Sequence, residues 1–239
     1  MSLLDTTREF ASAWKFMWAT PKRRLLVLAP VGINLALWIG VAPLAYLFAR
    51  WLSSVSLPDA GWATILSMLA GFFAVLAVVI LAVFAFVVLT AVIGAPFYGA
   101  LAEEAMRDAN MIFSEIPWYQ EVARALVLTL KLGVVFVFLQ VGLLVFNIIP
   151  VLGTLLHFVG AFSVAILLLS MEFFGEAFAK DGLSFRSQMR FLLRHHRSLL
   201  AFAVPVFVLL LVPGFNLFVP PLAVVTGTRL YVNMRGKKL

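Results

Sequence analysis

"VIGAPFYGALAEE", residues 92–104, closes the longest uncharged run in the chain, 43 residues from Ala60 to Ala102, and hands it to two glutamates. As a single α-helix that run is about 65 Å long, against a bilayer hydrocarbon core of about 30 Å. Length permits one crossing or two, and the fold turns on which it is.

Composition sets the frame. Of 239 residues, 64% are hydrophobic and only 12% are charged, and the mean hydropathy is +1.07. An ordinary soluble domain is about half apolar and about a quarter charged. The apolar runs are helix-length and show no period-two alternation, so they indicate a helical bundle rather than a barrel. The fold class is all-α, a polytopic membrane protein forming one integral domain over 1–239. There is no cysteine, which removes disulfides and thiolate chemistry. The first apolar run, Leu25 to Ala49, is too long for a signal-peptide core and has no small-residue cleavage pattern behind it, so no cleavage is expected. The net charge of +7 sits beside apolar segments, where cytoplasmic loops of membrane proteins collect Lys and Arg; nucleic-acid binding is not expected.

Charge placement decides the long run. Residues 1–24 carry five basic and two acidic side chains, 172–197 five and three, and the tail from Arg229 four and none. All three belong on the cytoplasmic side, termini included. Hairpins return the chain to the side they left, so the crossings before Glu103 must be even in number. Residues 25–49 make one, and the long run therefore makes one, continuing to about residue 110. The turns beyond the hydrocarbon require a protein cover, and Ala91, Ala95, Gly99 and Ala102 form a small-residue stripe on which another helix can approach. Pro96 removes one helix hydrogen bond and is expected to kink the helix there.

The remaining segments follow from their breaks. Residues 1–24 combine an interfacial helix, with Phe10, Ala13, Trp14, Met17 and Trp18 on one face, and a basic loop. The linker Ser53 to Asp59 leads into the long run. Residues 125–171 form a helical hairpin broken at "NIIPVLG" (147–153), with uncharged halves of about 18 residues, barely a span. Residues 184–197 form a basic amphipathic helix, with Arg186, Arg190, Arg194 and Arg197 on one face. Residues 198–228, broken at "VPGFN" (212–216), have arms too short to cross, and a re-entrant hairpin is expected.

Several groups are candidates for chemistry. In "WATPKRRLL" Thr20 suits an N-cap and Pro21 the first helical position, and Lys22, Arg23 and Arg24 surround the free N–H groups that follow. Such a terminus can hold a tetrahedral oxyanion. The same residues can be a topology anchor snorkelling to lipid headgroups, and the residues alone favour that reading. Glu103 and Arg107 have the i, i+4 spacing of a helix ion pair and are candidates for a gate or for pathway lining. Asn34, Asn147 and Asn216 are polar groups in apolar surroundings. The arginine face at 186–197 reads as a basic helix on anionic lipid. His157, His195 and His196 have no metal-ligand spacing, Glu172 and Glu176 have no partner base, and there is no HExxH, phosphate loop or nucleophile elbow. No enzyme, metal or cofactor is expected.

Three signatures resemble the CysZ-type sulfate permeases, a family distantly related to the eukaryotic etoposide-induced membrane proteins. "RRLLVLAPVGINLALW" is similar to that family's first segment, "GAPFYGALAE" to its A-P-F-N-G-x-L-A-E, and "NLFVPPLAVVTGT" to its N-L-F-x-x-P-x-A-V-x-G-A-T. Tyr98 replaces the family's Asn, and "MEFFGEAFAKDG" replaces its Tyr-x-Asp-Tyr-Pro segment. The resemblance implies sulfate uptake across the bacterial inner membrane for cysteine biosynthesis, a homo-oligomer, and an oxyanion site at Arg23 and Arg24, with Lys22 and Pro21 beside them. Asn34, Pro96, Glu103, Arg107 and Asn216 are then candidates for the pathway or its gate, and Glu103, Glu104, Glu172 and His157 candidate proton carriers. The expected partners are sulfate and membrane lipids. Two other functions remain open: a non-transporting membrane scaffold or assembly factor, and a transporter of another oxyanion.

Overall fold

The computed structural model describes residues 3–53, 61–149 and 151–236, and among these it is helical and contains no strand. Eight helices follow in order: α1 (Leu3–Trp18), α2 (Pro21–Ser53), α3 (Gly61–Asp108), α4 (Trp118–Leu144), α5 (Leu152–Lys180), α6 (Phe185–Arg194), α7 (His196–Leu210) and α8 (Val219–Gly236). Short 3₁₀ turns, Val145–Ile148 and Phe215–Leu217, lie at the two hairpin tips. The linker 54–60 and the lysines at 237 and 238 lie outside the described residues.

The helix α3 runs through Pro96 without interruption for 48 residues. At 1.5 Å per residue it is about 72 Å long, more than twice the hydrocarbon thickness. Pro96 costs one backbone hydrogen bond, and the turns on either side stay helical. Among the described residues, four segments are long and apolar enough to cross a membrane: Pro21–Val41, Gly71–Asp108, Trp118–Ile148 and Leu152–Lys180. The chain is a multi-pass helical membrane protein.

The middle hairpin differs from the sequence reading. Its arms are 27 and 29 residues long, not about 18, because the charged stretches around Glu121, Arg124, Glu172, Glu176 and Lys180 remain helical. Counting only uncharged residues stops at the first charge, whereas Glu, Lys and Arg are good helix formers, and Arg124 with Glu176 and Lys180 with Glu121 pair between the two arms. At the first tip Val151 takes a φ of +63°, and a Cβ on Gly153 would overlap the Phe146 carbonyl. At the second, Gly214 takes a φ of +82°, a left-handed conformation that glycine adopts without steric cost.

Burial is concentrated at one end of the bundle. One cluster joins Ala102 and Met106 of α3 to Phe174 and Phe178 of α5, Phe202 and Val206 of α7, and Val224 and Tyr231 of α8. A second joins Ala13, Phe16 and Met17 of α1 to Val27 of α2, Leu101 and Ala105 of α3 and Val225 of α8. The other half of the bundle is bare: Phe72, Ile80, Phe138 and Phe158 are all exposed, the arrangement of helices that meet hydrocarbon rather than water. The helix α1 is tucked beneath this core, with Ala13, Phe16 and Met17 buried and Trp14 turned outward. Its packing against α2 and α8 rotates the expected apolar face by about one residue, exchanging Trp14 for Phe16.

The small-residue stripe is a helix contact. Ala95, Gly99 and Ala102 are buried, and a Cβ on Gly99 would overlap the Glu121 carboxylate. With hydrogen alone at position 99, α4 approaches closely enough to bring Glu121 against α3.

Candidate functional site

The turn between α1 and α2 builds the first half of the site. Thr20 caps α2: its Oγ1 accepts the Arg23 backbone N–H at 3.3 Å, and its carbonyl accepts that of Arg24 at 3.1 Å. Pro21 opens the helix, at the position where its missing N–H costs nothing. This sends the three cations in different directions. The Lys22 Nζ stands 2.6 Å from Glu104 Oε1. The Arg23 guanidinium lies over the Phe16 ring at 3.7 Å and reaches Glu104 Oε2 at 3.5 Å. The Arg24 Nε donates to the Trp18 carbonyl at 2.9 Å. One carboxylate thus meets two of the three cations, Lys22 and Arg23, at a helix N-terminus, while Arg24 is held by a carbonyl, and that end of α2 retains excess positive charge. The buried Nε of Arg23 has no partner among the described residues.

A fourth cation comes from α8. The Arg229 guanidinium stands 5.7 Å from the Phe16 ring and pairs with Glu9 at 3.3 Å and Asp108 at 3.4 Å. Phe16 is therefore a shared aromatic platform for Arg23 and Arg229, an attraction that strengthens when the ring is dry.

Glu103, the neighbour of Glu104, faces another cluster. Lys180 at the end of α5 is buried, its Nζ 2.8 Å from Glu103 Oε1 and 2.7 Å from Glu121 Oε1. Behind it, Arg124 of α4 stands 3.7 Å from Glu176 of α5. Successive residues on a helix point about 100° apart. Glu104 therefore ties α3 to α2, while Glu103 ties it to α5 through Lys180, which also holds Glu121 of α4.

The i, i+4 pair between Glu103 and Arg107 is not formed. Glu103 takes Lys180, and Arg107 takes Glu115 in the connection after α3, at 2.7 Å. A buried ammonium left without its carboxylates would be an uncompensated charge, whereas an exposed helix-surface pair contributes little. Arg107 is accordingly left on the surface, with about half of its side chain exposed. Pro96 lies within α3 near the stripe, and Asn216 is exposed at the second hairpin tip. Asn34 is buried in α2, and its Oδ1 accepts no hydrogen bond from the described residues. Among the described residues, none of these three shares a hydrogen bond or an ion pair with the Lys22–Arg24 cluster. Tyr98, which stands where the resemblance has Asn, lays its ring against Gly94 one turn back and packs against both apolar clusters.

Sequence reasoning named Glu104 only as a proton carrier and missed Phe16, Arg229, Lys180, Glu121 and Arg124. One signal was available: formal charges at the ends of long apolar helices must find partners. Their pairing across helices is tertiary information.

The profile of the family described as "Sulfate transporter CysZ/Etoposide-induced protein 2.4" matches residues 9–221. The chain belongs to this family. The match takes in the Thr20–Arg24 turn and both clusters on α3, and it ends before Arg229. Among curated proteins, the chain is 28% identical over 225 residues to the sulfate transporter CysZ of Pseudomonas fluorescens strain Pf0-1, covering 91% of this chain and 89% of that protein. It is 27% identical over 224 residues to the sulfate transporter CysZ of Pseudomonas syringae pv. tomato, covering 91% and 88%.

Proposed function

We propose that this protein transports sulfate, and that it acts as a homo-oligomer in the bacterial inner membrane, with both termini cytoplasmic, importing sulfate for cysteine biosynthesis. Family membership and the names of the two relatives support transport rather than catalysis. The observation that carries the site is the meeting of Lys22 and Arg23 at the capped start of α2 with a single carboxylate, Glu104, with Arg24 beside them on the Trp18 carbonyl. Glu104 is an internal anion held where a sulfate ion would find the same cations. A dianion arriving there displaces the carboxylate and gains charge-assisted hydrogen bonds from guanidinium groups and from N–H groups at the helix end.

The Glu103–Lys180–Glu121 cluster stands one residue along α3 from this seat. Displacement of Glu104 therefore reaches the junction of α3, α4 and α5 directly, and in this reading Glu103 is part of the gate, with Arg107 at its exposed lip and Asn34, Pro96 and Asn216 along the path. Import against an inside-negative potential of about 100 mV costs a dianion about 4.6 kcal/mol. A steep sulfate gradient, consumption inside the cell, or protons carried by glutamates must offset that cost.

Calorimetry on the purified full-length protein tests the seat. Wild type is expected to bind sulfate, chloride at equal ionic strength is not expected to displace it, and Arg23→Ala with Arg24→Ala is expected to abolish the binding heat. Sulfate binding undiminished in that variant contradicts the assignment.

A second reading has its own observation: Arg23 is already engaged by Phe16 and Glu104, as in a latch that joins α1, α2 and α3. A scaffold needs only the latch. It predicts that Arg23→Ala lowers the unfolding midpoint and that no sulfate binds even to wild type.

A further inference from the structure

Two adjoining hollows share no residue with the Lys22–Arg24 cluster. The first is a shallow groove of about 530 Å³ along α6, lined by Phe185, Arg186, Met189, Arg190, Leu193 and Arg194. Arg186, Arg190 and Arg194 repeat every four residues and form one stripe; Phe185, Met189 and Leu193 repeat the same way and form an apolar stripe beside it. The second hollow is a crevice of about 170 Å³ between α5, α6 and α7, walled by Phe162, Ile166, Leu167, Leu199 and Leu200. Leu193 lines both, so the basic groove and the apolar crevice meet at that side chain.

Three further facts bear on what fits there. Arg186, Arg190 and Arg194 are exposed, and none has an acidic partner among the described residues. Lys131 of α4 adds a cation at one end, its Nζ 5.0 Å from the Phe185 ring. The helix α6 turns away from α7 by 93°, while α7 packs into the bundle against α5, which is long enough to span the membrane. This is the placement of a helix lying along the membrane surface above a crevice that leads into the apolar layer.

We propose that the joined hollow binds one anionic phospholipid, whose phosphodiester seats on Arg186, Arg190 and Arg194 and whose acyl chain passes Leu193 into the crevice between α5 and α7. Guanidinium groups recognise phosphate oxygens in paired hydrogen bonds, and the crevice takes methylene groups out of water. A free inorganic anion fits the arginines and leaves the crevice empty. A zwitterionic lipid fits the crevice but brings its own ammonium against the arginine stripe. An acidic segment of another protein matches the charge and not the apolar wall. Only an anionic head on an alkyl chain satisfies both parts.

The test titrates the full-length protein in neutral detergent with phosphatidylglycerol, with phosphatidylcholine of the same acyl chains, and with inorganic phosphate, following the thermal unfolding midpoint. Phosphatidylglycerol is expected to raise the midpoint saturably, and the other two to leave it in place. Arg190→Gln with Arg194→Gln, both exposed and therefore tolerated by the fold, is expected to weaken that effect about tenfold for each arginine. Leu193→Gln tests the crevice and is expected to weaken it as well. Three results overturn the proposal: phosphatidylcholine acting equally, inorganic phosphate reproducing the whole effect, or unchanged phosphatidylglycerol binding in the Arg190→Gln, Arg194→Gln protein. The wild-type comparison of lipids decides the matter even if a variant does not fold.

Discussion

Replacement of Lys180 by methionine is expected to destabilise the bundle by about 3–5 kcal/mol, the usual cost of removing one partner from a buried ion pair. Lys180 is fully enclosed, and its ammonium is the nearest cation to both Glu103 and Glu121, at 2.8 and 2.7 Å. Methionine keeps an unbranched apolar stem and lacks the terminal ammonium, so the loss isolates the charge. Two carboxylates then face each other, Glu121 being almost completely buried. Thermal unfolding in detergent reads the effect as a fall in the midpoint of about 10 °C. Adding Glu121→Gln removes the more deeply buried of the two stranded charges and is expected to restore more than half of that fall. A Lys180→Met protein as stable as wild type would show that the cluster contributes nothing to the packing of α3, α4 and α5.

The second large effect is expected at Gly99. A Cβ there overlaps the Glu121 carboxylate rather than the end of a loose apolar chain, so Gly99→Val must push Glu121 off Lys180 or push α4 off α3. Overpacking alone costs about 1–3 kcal/mol, and disturbing the ion pair adds to it. The two substitutions act through the same carboxylate. The loss in Gly99→Val combined with Lys180→Met is therefore expected to be smaller than the sum of the single losses, whereas independent sites add. Glu121→Ala clears the space and should relieve much of the Gly99→Val defect. Full additivity, or a Gly99→Val protein of wild-type stability, contradicts the close contact.

These expectations could be only partly read from the sequence, and the division has physical causes. Helix identity was legible because it is periodic and local: apolar length gave α2 and α3, and Thr20 with Pro21 marked the start of α2. The need for a cover on the Ala95–Gly99–Ala102 stripe was legible as well, since small side chains are spent where backbones meet. The partners of Glu103 were not. Local spacing offered Arg107 four residues away, and the fold supplied Lys180, 77 residues away, because burial rewards the better-satisfied arrangement over the nearer one. Glu104 was visible as an acid, but its pairing with Lys22 and Arg23 depends on how α1 and α2 return to the end of α3. The arms of the middle hairpin were underestimated because an uncharged count stops at the first charge, whereas Glu, Lys and Arg are good helix formers and carry the helices on.

Uptake of labelled sulfate into liposomes containing the purified protein tests the central claim most directly. Wild-type vesicles are expected to accumulate sulfate above empty vesicles, and vesicles with the Arg23→Ala, Arg24→Ala protein, matched for the amount of folded protein, are expected to fall to the empty-vesicle level. Wild-type vesicles that take up no sulfate, or variant vesicles that take it up at the wild-type rate, contradict the account.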